Sequence, residues 1–295
     1  MNGTNVTPPV LRRLTKEWET LTPAAQKAAR YVLENPQNVG VSTVREIAEE
    51  ADVTPNTMVR MARQMGFDGY EEFRAPFRDA IRRGGVNFPD RARWLQNIRK
   101  SGGIGGLYAD MMESATRNIE DTFAKIDTQT LNHMAEAIWN ARHVYALGVG
   151  AMNANARLFA YLAATGMRDF HAIPRPGFTA IDDLAWADDR DVLIAMTCHP
   201  YRSEVVDAVR VARDQGVNVI ALSDSPASPI IRAAQNSLVI ATDTPQFFPS
   251  SVAMIAVLET LLSFVIAVAS DKVVGRVETF HQRRRQLGLY LEEPE

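Results

Sequence analysis

Residues 41–70, VSTVREIAEEADVTPNTMVRMARQMGFDGY, set two short amphipathic segments on either side of a break. Ser42 can accept a bond from an unpaired first-turn amide, and Glu46 follows at a spacing close to that of a capping box, so a helix is predicted from Ser42. Val44, Ile47, Ala48 and Ala51 then share one face. Asp52 and Val53 interrupt the pattern, and Thr54 with Pro55 restarts it, because the hydroxyl caps and a ring lacking an amide hydrogen suits the first helical position. On the second helix Val59, Ala62 and Met65 are expected to face inward, while Asn56, Thr57, Arg60 and Arg63 face out. Gly66 ends the helix, since glycine takes a positive φ without a side-chain clash.

Two such helices have the pattern of a helix-turn-helix, whose second helix enters the major groove N-terminal end first and reaches base edges and phosphates with short polar residues and arginines. Asn56, Thr57 and Arg60 sit where that requires. Ser42, Thr43, Thr54 and Arg63 complete the candidate DNA contacts. Spacing alone fits equally an amphipathic helical hairpin with a solvated polar face.

The motifs separate the two readings. Ser42 with Val44 to Ala48, Val53 to Arg60 with Met58 in place of a branched residue, and Gly66 to Tyr70 resemble the N-terminal domain of the RpiR family of bacterial regulators. That family's pattern is Ser-[Ile/Val]-x-x-[Ile/Leu]-Ala, then Val-[Ser/Thr]-x-x-Thr-[Val/Ile]-x-Arg, then Gly-Phe-x-Gly-Tyr. LTPAAQKAARYVLENP, residues 21–36, fits its opening helix and Asn-Pro stop. The resemblance implies an all-α helix-turn-helix DNA-binding domain over residues 1–83, with double-stranded operator DNA as partner.

At 295 residues the chain should hold about two domains. A single cysteine, Cys198, excludes an internal disulfide framework and a cysteine-rich zinc site. No secretory signal is visible in the polar start with Pro8 and Pro9, so a cytoplasmic location is expected. The longest apolar stretch, residues 250–270, carries Glu259 at its middle and is read as a buried core helix rather than a membrane span. Net charge is −3, and residues 1–85 hold 12 Lys and Arg against 11 Asp and Glu. DNA affinity must therefore come from local placement, with Arg60, Arg63, Arg74, Arg78, Arg82 and Arg83 on and after the second helix.

Gly84, Gly85, Asn87 and Pro89 form a breaker cluster, and SGGIGG at 101–106 forms a second beyond a short basic segment. Residues 84–126 are read as linker and connecting helix. The glycine-rich part lacks the Lys-[Ser/Thr] ending of a phosphate loop, and no strand precedes it. Helices are expected over 107–124 and 128–139, with Asp127 capping the second.

From Ala141 onward, apolar strands at 143, 191, 217 and 237 alternate with helices at about 151–164, 203–215 and 227–235. This predicts an α/β/α sandwich around a mostly parallel sheet, with ligands expected beyond the carboxyl ends of its strands. Strand one runs into Gly148, Gly150, Met152 and Asn153. Strand two runs into Thr197, Cys198, His199, Arg202 and Ser203, and strand three into Ser223. Glycine and hydroxyl-rich turns opening helices suit an anionic or polyhydroxyl ligand.

This half, about residues 127–270, resembles the SIS domain, a sugar-phosphate-binding fold found in sugar isomerases and joined to the helix-turn-helix in RpiR regulators. The resemblance implies a ligand-binding domain over 127–280; the tail over 281–295 carries a basic run, Arg283 to Arg285, that is read as a solvated helix end. The family pattern puts Gly-x-Gly-x-Ser after the first strand and Ser-x-Ser-Gly-x-Thr after the second. Here Met152 replaces the first-loop serine, while Thr197, His199, Pro200 and Arg202 replace the second-loop residues. Proline removes a donor and methionine a hydroxyl, whereas histidine and arginine can hold an anion by charge. In SIS proteins the helix corresponding to 250–269 commonly reaches ligand or partner subunit, which makes Ser250, Ser251 and Glu259 candidate contacts. Glu259 is equally read as an exposed carboxylate on an otherwise buried helix. The near all-round apolarity of that helix predicts a homodimer or homotetramer.

His199 has no other histidine near it in sequence except the distant His171, and no carboxylate at ligand spacing, so no metal site or cofactor is expected. Cys198, flanked by apolar residues, is read as an inert thiol rather than a redox sensor. The expected function is a transcriptional regulator whose SIS domain senses a small anionic, phosphorylated or other carbohydrate-derived metabolite. The alternative is a sugar-phosphate isomerase-like enzyme with a helical appendage. Isomerisation needs a base aligned with a carbonyl, and no residue is assigned a catalytic role.

Overall fold

The computed structural model describes residues 9–83, 88–100 and 104–290. The chain divides into two compact units, one running to Thr116 and including Asp243–Ser250, the other holding Arg117–Thr242 and the chain from Ser251 onward.

The first unit is helical: α1 (Pro9–Lys16), α2 (Pro23–Glu34), α3 (Pro36–Val41), α4 (Val44–Glu50), α5 (Pro55–Gln64), α6 (Tyr70–Arg83), α7 (Phe88–Lys100) and most of α8 (Ile104–Phe123). Threonine hydroxyls start three of these helices, Thr22 accepting from Ala25, Thr43 from Glu46 and Thr54 from Thr57. The predicted start at Ser42 is therefore one residue early. The Thr43 and Glu46 pair has the three-residue spacing that a reciprocal box requires, and Glu46 returns a bond to the Thr43 amide at 2.7 Å. Ser42 instead ends α3, donating its amide to the Asn38 carbonyl at 2.9 Å.

Leu14, Ile47, Met58, Met61, Met65, Phe73 and Phe77 are fully buried together. Met58, Met61, Ala62 and Met65 form the inward line of α5, and Val59, expected there, is only half-buried. Between α4 and α5 the chain turns at Asp52 with φ of 49°. Its carboxylate pairs with Lys27 of α2, whose hydrogen bond holds the carboxyl below its usual range.

The two glycine clusters bracket structure that breaker residues alone do not reveal. The basic segment between them is helix α7, and Gly105 and Gly106 lie within the first turn of α8. Residues 84–87 and 101–103, on which the linker reading partly rests, lie outside the described residues. Asp243–Ser250 belongs to the first unit, where Phe248 stacks on Phe88 with ring centroids 5.0 Å apart.

The second unit runs α9 (Thr128–Asn140), β1 (Val144–Gly148), α10 (Ala151–Ala163), β2 (Phe170–Ile173), α11 (Ala180–Asp183), β3 (Val192–Thr197), α12 (Ser203–Asp214), β4 (Asn218–Ser223), α13 (Pro229–Ala233), β5 (Asn236–Val239), α14 (Val252–Val268) and α15 (Lys272–Gln286). Its five strands pair in parallel in the order β2-β1-β3-β4-β5. Alternate strand residues serve opposite cores: Val192, Ile194 and Met196 join α9, α10 and α14, whereas Leu193 and Ala195 join α11, α12 and α13. Burial of each of these side chains larger than alanine contributes roughly 1.5–3 kcal/mol. The expected three-layer α/β/α sandwich is present, with one strand more than the four predicted. That strand, β2, has only four residues and lies at the sheet edge, three of them half-buried.

At the amino end of the sheet the buried carboxylate of Asp191 gathers four donors. It accepts from Arg142 Nε at 3.0 Å and Nη2 at 2.5 Å, and from the amides of His143 at 3.1 Å and Asp188 at 2.9 Å. Burial acts to raise its pKa, but the Arg142 and amide bonds outweigh it and hold the group below its ordinary value. Asp191→Ala should lower stability by about 1–3 kcal/mol, because two backbone amides lose their acceptor, and chemical denaturation measures this. The wild-type contribution should be complete above the ordinary carboxylate pKa and fade as pH falls through the lower folded-state value.

Candidate functional site

Helix α5 presents a polar face opposite its buried methionines. Asn56, Arg60 and Arg63 are exposed, and the Thr54 and Thr57 hydroxyls lie 2.9 Å apart at the helix start. Arg63 is partly committed, since its Nε donates to the Asp68 carbonyl at 3.3 Å across the turn that Gly66 makes with φ of 82°. Thr43 spends its hydroxyl on the α4 cap, and Ser42 is half-buried. Arg74, grouped by sequence with the basic cluster, is turned toward Gly40, whose carbonyl it meets at 3.4 Å, and is 12% exposed. The cations and amide that remain outward on α5 are Arg60, Asn56 and, in part, Arg63.

The second candidate site lies at the carboxyl ends of β1 and β3. These neighbouring strands lead to α10 on one face of the sheet and α12 on the other, so their loops diverge and leave the crevice of a topological switch point. Gly148 is required there, because a Cβ would stand 2.1 Å from the Met152 carbonyl oxygen. Gly150 is required by its φ of 61°. Asn153 fastens this loop by donating its side-chain amide to the Gly148 carbonyl at 3.1 Å. Met152, a candidate ligand contact by sequence, is buried in the core between α10 and the sheet and does not face the crevice.

Across the crevice, buried Thr197 and Ser223 support the second loop. The Ser223 hydroxyl donates to the Thr197 carbonyl at 2.7 Å and lies 2.8 Å from the Ser228 hydroxyl, while Thr197 Oγ1 accepts the Arg202 amide at 3.4 Å. His199, Arg202 and Ser203 are exposed above this base. The His199 ring meets Tyr201 edge-on at 5.5 Å, and its backbone amide donates to Asp224 at 3.1 Å. The Arg202 guanidinium pairs with Glu204 at 2.8 Å. Burial, then Asp224, pushes the Tyr201 hydroxyl pKa up.

Neither helix bracketing the crevice has a side-chain cap: Gly150 precedes α10 and Arg202 precedes α12, and only their carbonyls engage the first turn, accepting from the Asn153 and Val205 amides at 3.1 Å each. Elsewhere in this unit α9 is capped by Asp127 and α11 by Thr179, whereas α13, α14 and α15 also lack a side-chain cap. First-turn amides at two helix N-termini favour an anion or a hydroxyl-rich ligand. Asp224 already takes one amide of the second loop, so an arriving anion shares that loop with a carboxylate.

One sequence candidate lies elsewhere. Glu259 is exposed in a shallow hollow with Leu162, Leu262, Ser263 and Ile266. Leu162 is eleven residues beyond the start of α10, roughly 16 Å along the helix from the first loop, so this carboxylate does not join the crevice of its own chain. Ser250 is buried and belongs to the first unit, and Ser251 is half-buried immediately before α14. At the other end of the sheet the fold gathers His143, Asp169 and His171, a set with metal-ligand chemistry that the sequence spacing concealed.

Cys198 is buried against the core, and burial, then Asp224, pushes its thiol pKa up to about 12. The thiolate, the reactive form, is therefore suppressed. Native protein should resist iodoacetamide at pH 8, with mass spectrometry finding Cys198 modified only after denaturant is added. Rapid labelling of the folded chain would show that the thiol opens to solvent.

Residues 9–83 match the model of the rpiR-family helix-turn-helix domain, and residues 137–265 match that of the SIS domain. An uncharacterised HTH-type transcriptional regulator of Caldanaerobacter subterraneus subsp. tengcongensis is 26% identical over 281 residues, covering 91% of this chain and 94% of that protein. The sugar isomerase domain of an RpiR transcription factor from Sphaerobacter thermophilus superposes with TM-score 0.56 at 25% identity, covering 60% of this chain and 98% of that one. The Vibrio vulnificus NanR protein, solved in complex with ManNAc-6P, matches with TM-score 0.55 at 22% identity over 94% of this chain and 98% of its own. The chain belongs to the RpiR family of transcriptional regulators, with an N-terminal helix-turn-helix and a C-terminal SIS domain.

Proposed function

We propose that this regulator binds double-stranded operator DNA through α5 as a homodimer or homotetramer, and that its SIS domain senses a small anionic, carbohydrate-derived metabolite that alters operator affinity. The observation that carries the sensing half is the pair of uncapped helix N-termini at the β1/β3 switch point. NanR, a relative by fold, is solved with a phosphorylated amino sugar, which supports this ligand class. His199, Arg202 and Ser203 supply exposed polar groups at the same crevice, and they are the residues we assign to effector recognition, with the Gly148 and Gly150 loop as the opposite wall. A sensing rather than catalytic role is supported by the distance of Glu259 from that loop.

Self-association is supported by α14, which leaves Val252 and Ile266 exposed beside its buried face, and by Leu158 and Tyr161 exposed on α10. Two copies double the DNA footprint and read two half-sites. This offsets the small local charge of each reader.

Arg60→Ala should weaken operator binding by about tenfold or more in a gel-shift titration, the loss typical of one groove-facing arginine, with an unchanged circular dichroism spectrum. Equal affinity for variant and wild type would remove α5 as the reader. In a thermal-shift screen of sugar phosphates and sugar acids, the wild type should be stabilised by at least one compound. His199→Ala and Arg202→Ala should lose that shift, and the matching response on DNA, while effector-free operator binding persists. A variant answering at the wild-type concentration would exclude the second loop as the sensor.

A further inference from the structure

We propose that His143, Asp169 and His171 form a binding site for one divalent transition-metal ion of the zinc class, at the end of the sheet opposite the effector crevice. His143 immediately precedes β1, and Asp169 immediately precedes β2. The parallel register pairs Val144 with Phe170 and Tyr145 with His171, and the Val144 amide donates to the Asp169 carbonyl at 2.9 Å. Residues 143 and 145 fall on one face of the extended chain, so the register brings both imidazoles to that face, their centroids 5.7 Å apart. One donor atom from each of the three residues lies within 4.8 Å of the others. Zinc holds nitrogen and oxygen ligands at about 2.1 Å, which sets tetrahedral donors roughly 3.4 Å apart. Small side-chain rotations close the difference.

One further observation points to a ligand. His143 Nδ1 is buried without a hydrogen-bond partner among the described residues, an uncommon state for a group that can accept or donate. Asp169 holds φ of 64°, a region that residues other than glycine seldom adopt, though aspartate tolerates it better than most. Two histidines and one carboxylate suit zinc, cobalt or nickel and leave coordination positions for water or an external ligand. An ion there would tie edge strand β2, only four residues long, to β1.

The test uses the full chain, stripped with chelator and dialysed. Zinc titrated against a chromophoric competitor should bind at one ion per chain and raise the melting temperature, and cobalt should give the visible absorption of a low-symmetry site. Asp169→Asn keeps a side chain that tolerates the left-handed backbone and should weaken zinc at least roughly tenfold, the loss that even an outer-shell change can produce. The His143→Ala/His171→Ala variant should bind no ion at this stoichiometry, with its folding checked by circular dichroism. Absence of zinc binding in the wild type overturns the proposal. So does wild-type affinity in Asp169→Asn, which decides the matter if the double variant does not fold.

Discussion

The joint between β1 and α10 admits no side chain at residue 148, where the Met152 carbonyl oxygen passes 2.1 Å from the place a Cβ would take. That close approach sets the start of α10 directly over the strand end. From there α10 runs back along one face of the sheet, where Phe159 and Ala163 join α9 and α14 in a single core. The chain leaving β3 goes to the other face, and the crevice exists because these two exits diverge. The start of α10 and the first wall of the crevice thus depend on one glycine.

In the helical unit a nearly neutral set of charges is divided between structure and solvent. Acidic groups are drawn into structure: Glu46 into a cap, and Asp52 into its pair with Lys27. Some arginines are drawn in as well, Arg74 toward Gly40 and Arg63 toward Asp68. What is left outward on α5 is compact, and a short helix carrying Asn56 and Arg60 suits base-edge contact better than broad phosphate attraction.

Much of this organisation is legible in the residues. Helices α4 and α5 declare themselves through apolar spacing and capping threonines. Strands β3 and β4 do so because a strand buried on both faces is a continuous apolar run. Strand β2 escapes because its edge position lets polar His171 and half-exposed neighbours stand where an interior strand would carry valine or isoleucine. Helix α7 escapes because glycines flank it. Of the candidate crevice residues, the loop positions are where strand ends require. Met152 and Cys198 are not at the surface, since in each case the next turn of backbone directs them to the core. The histidine pair was invisible because parallel register, not sequence distance, brings residue 143 beside 169 and 171.

The segment Asp243–Ser250 leaves the α/β sequence between β5 and α14 to join the helical unit, where Phe248 lies on Phe88. The chain consequently passes between its units at three points, after Thr116, after Thr242 and after Ser250. The two functions are not consecutive beads that a single cut would release. A fragment ending before α9 would expose the Phe88 ring, and the complementary fragment would carry Phe248 without the ring it stacks on. Dissection and recombination of this regulator with others therefore have to move residues 243–250 together with the helical unit.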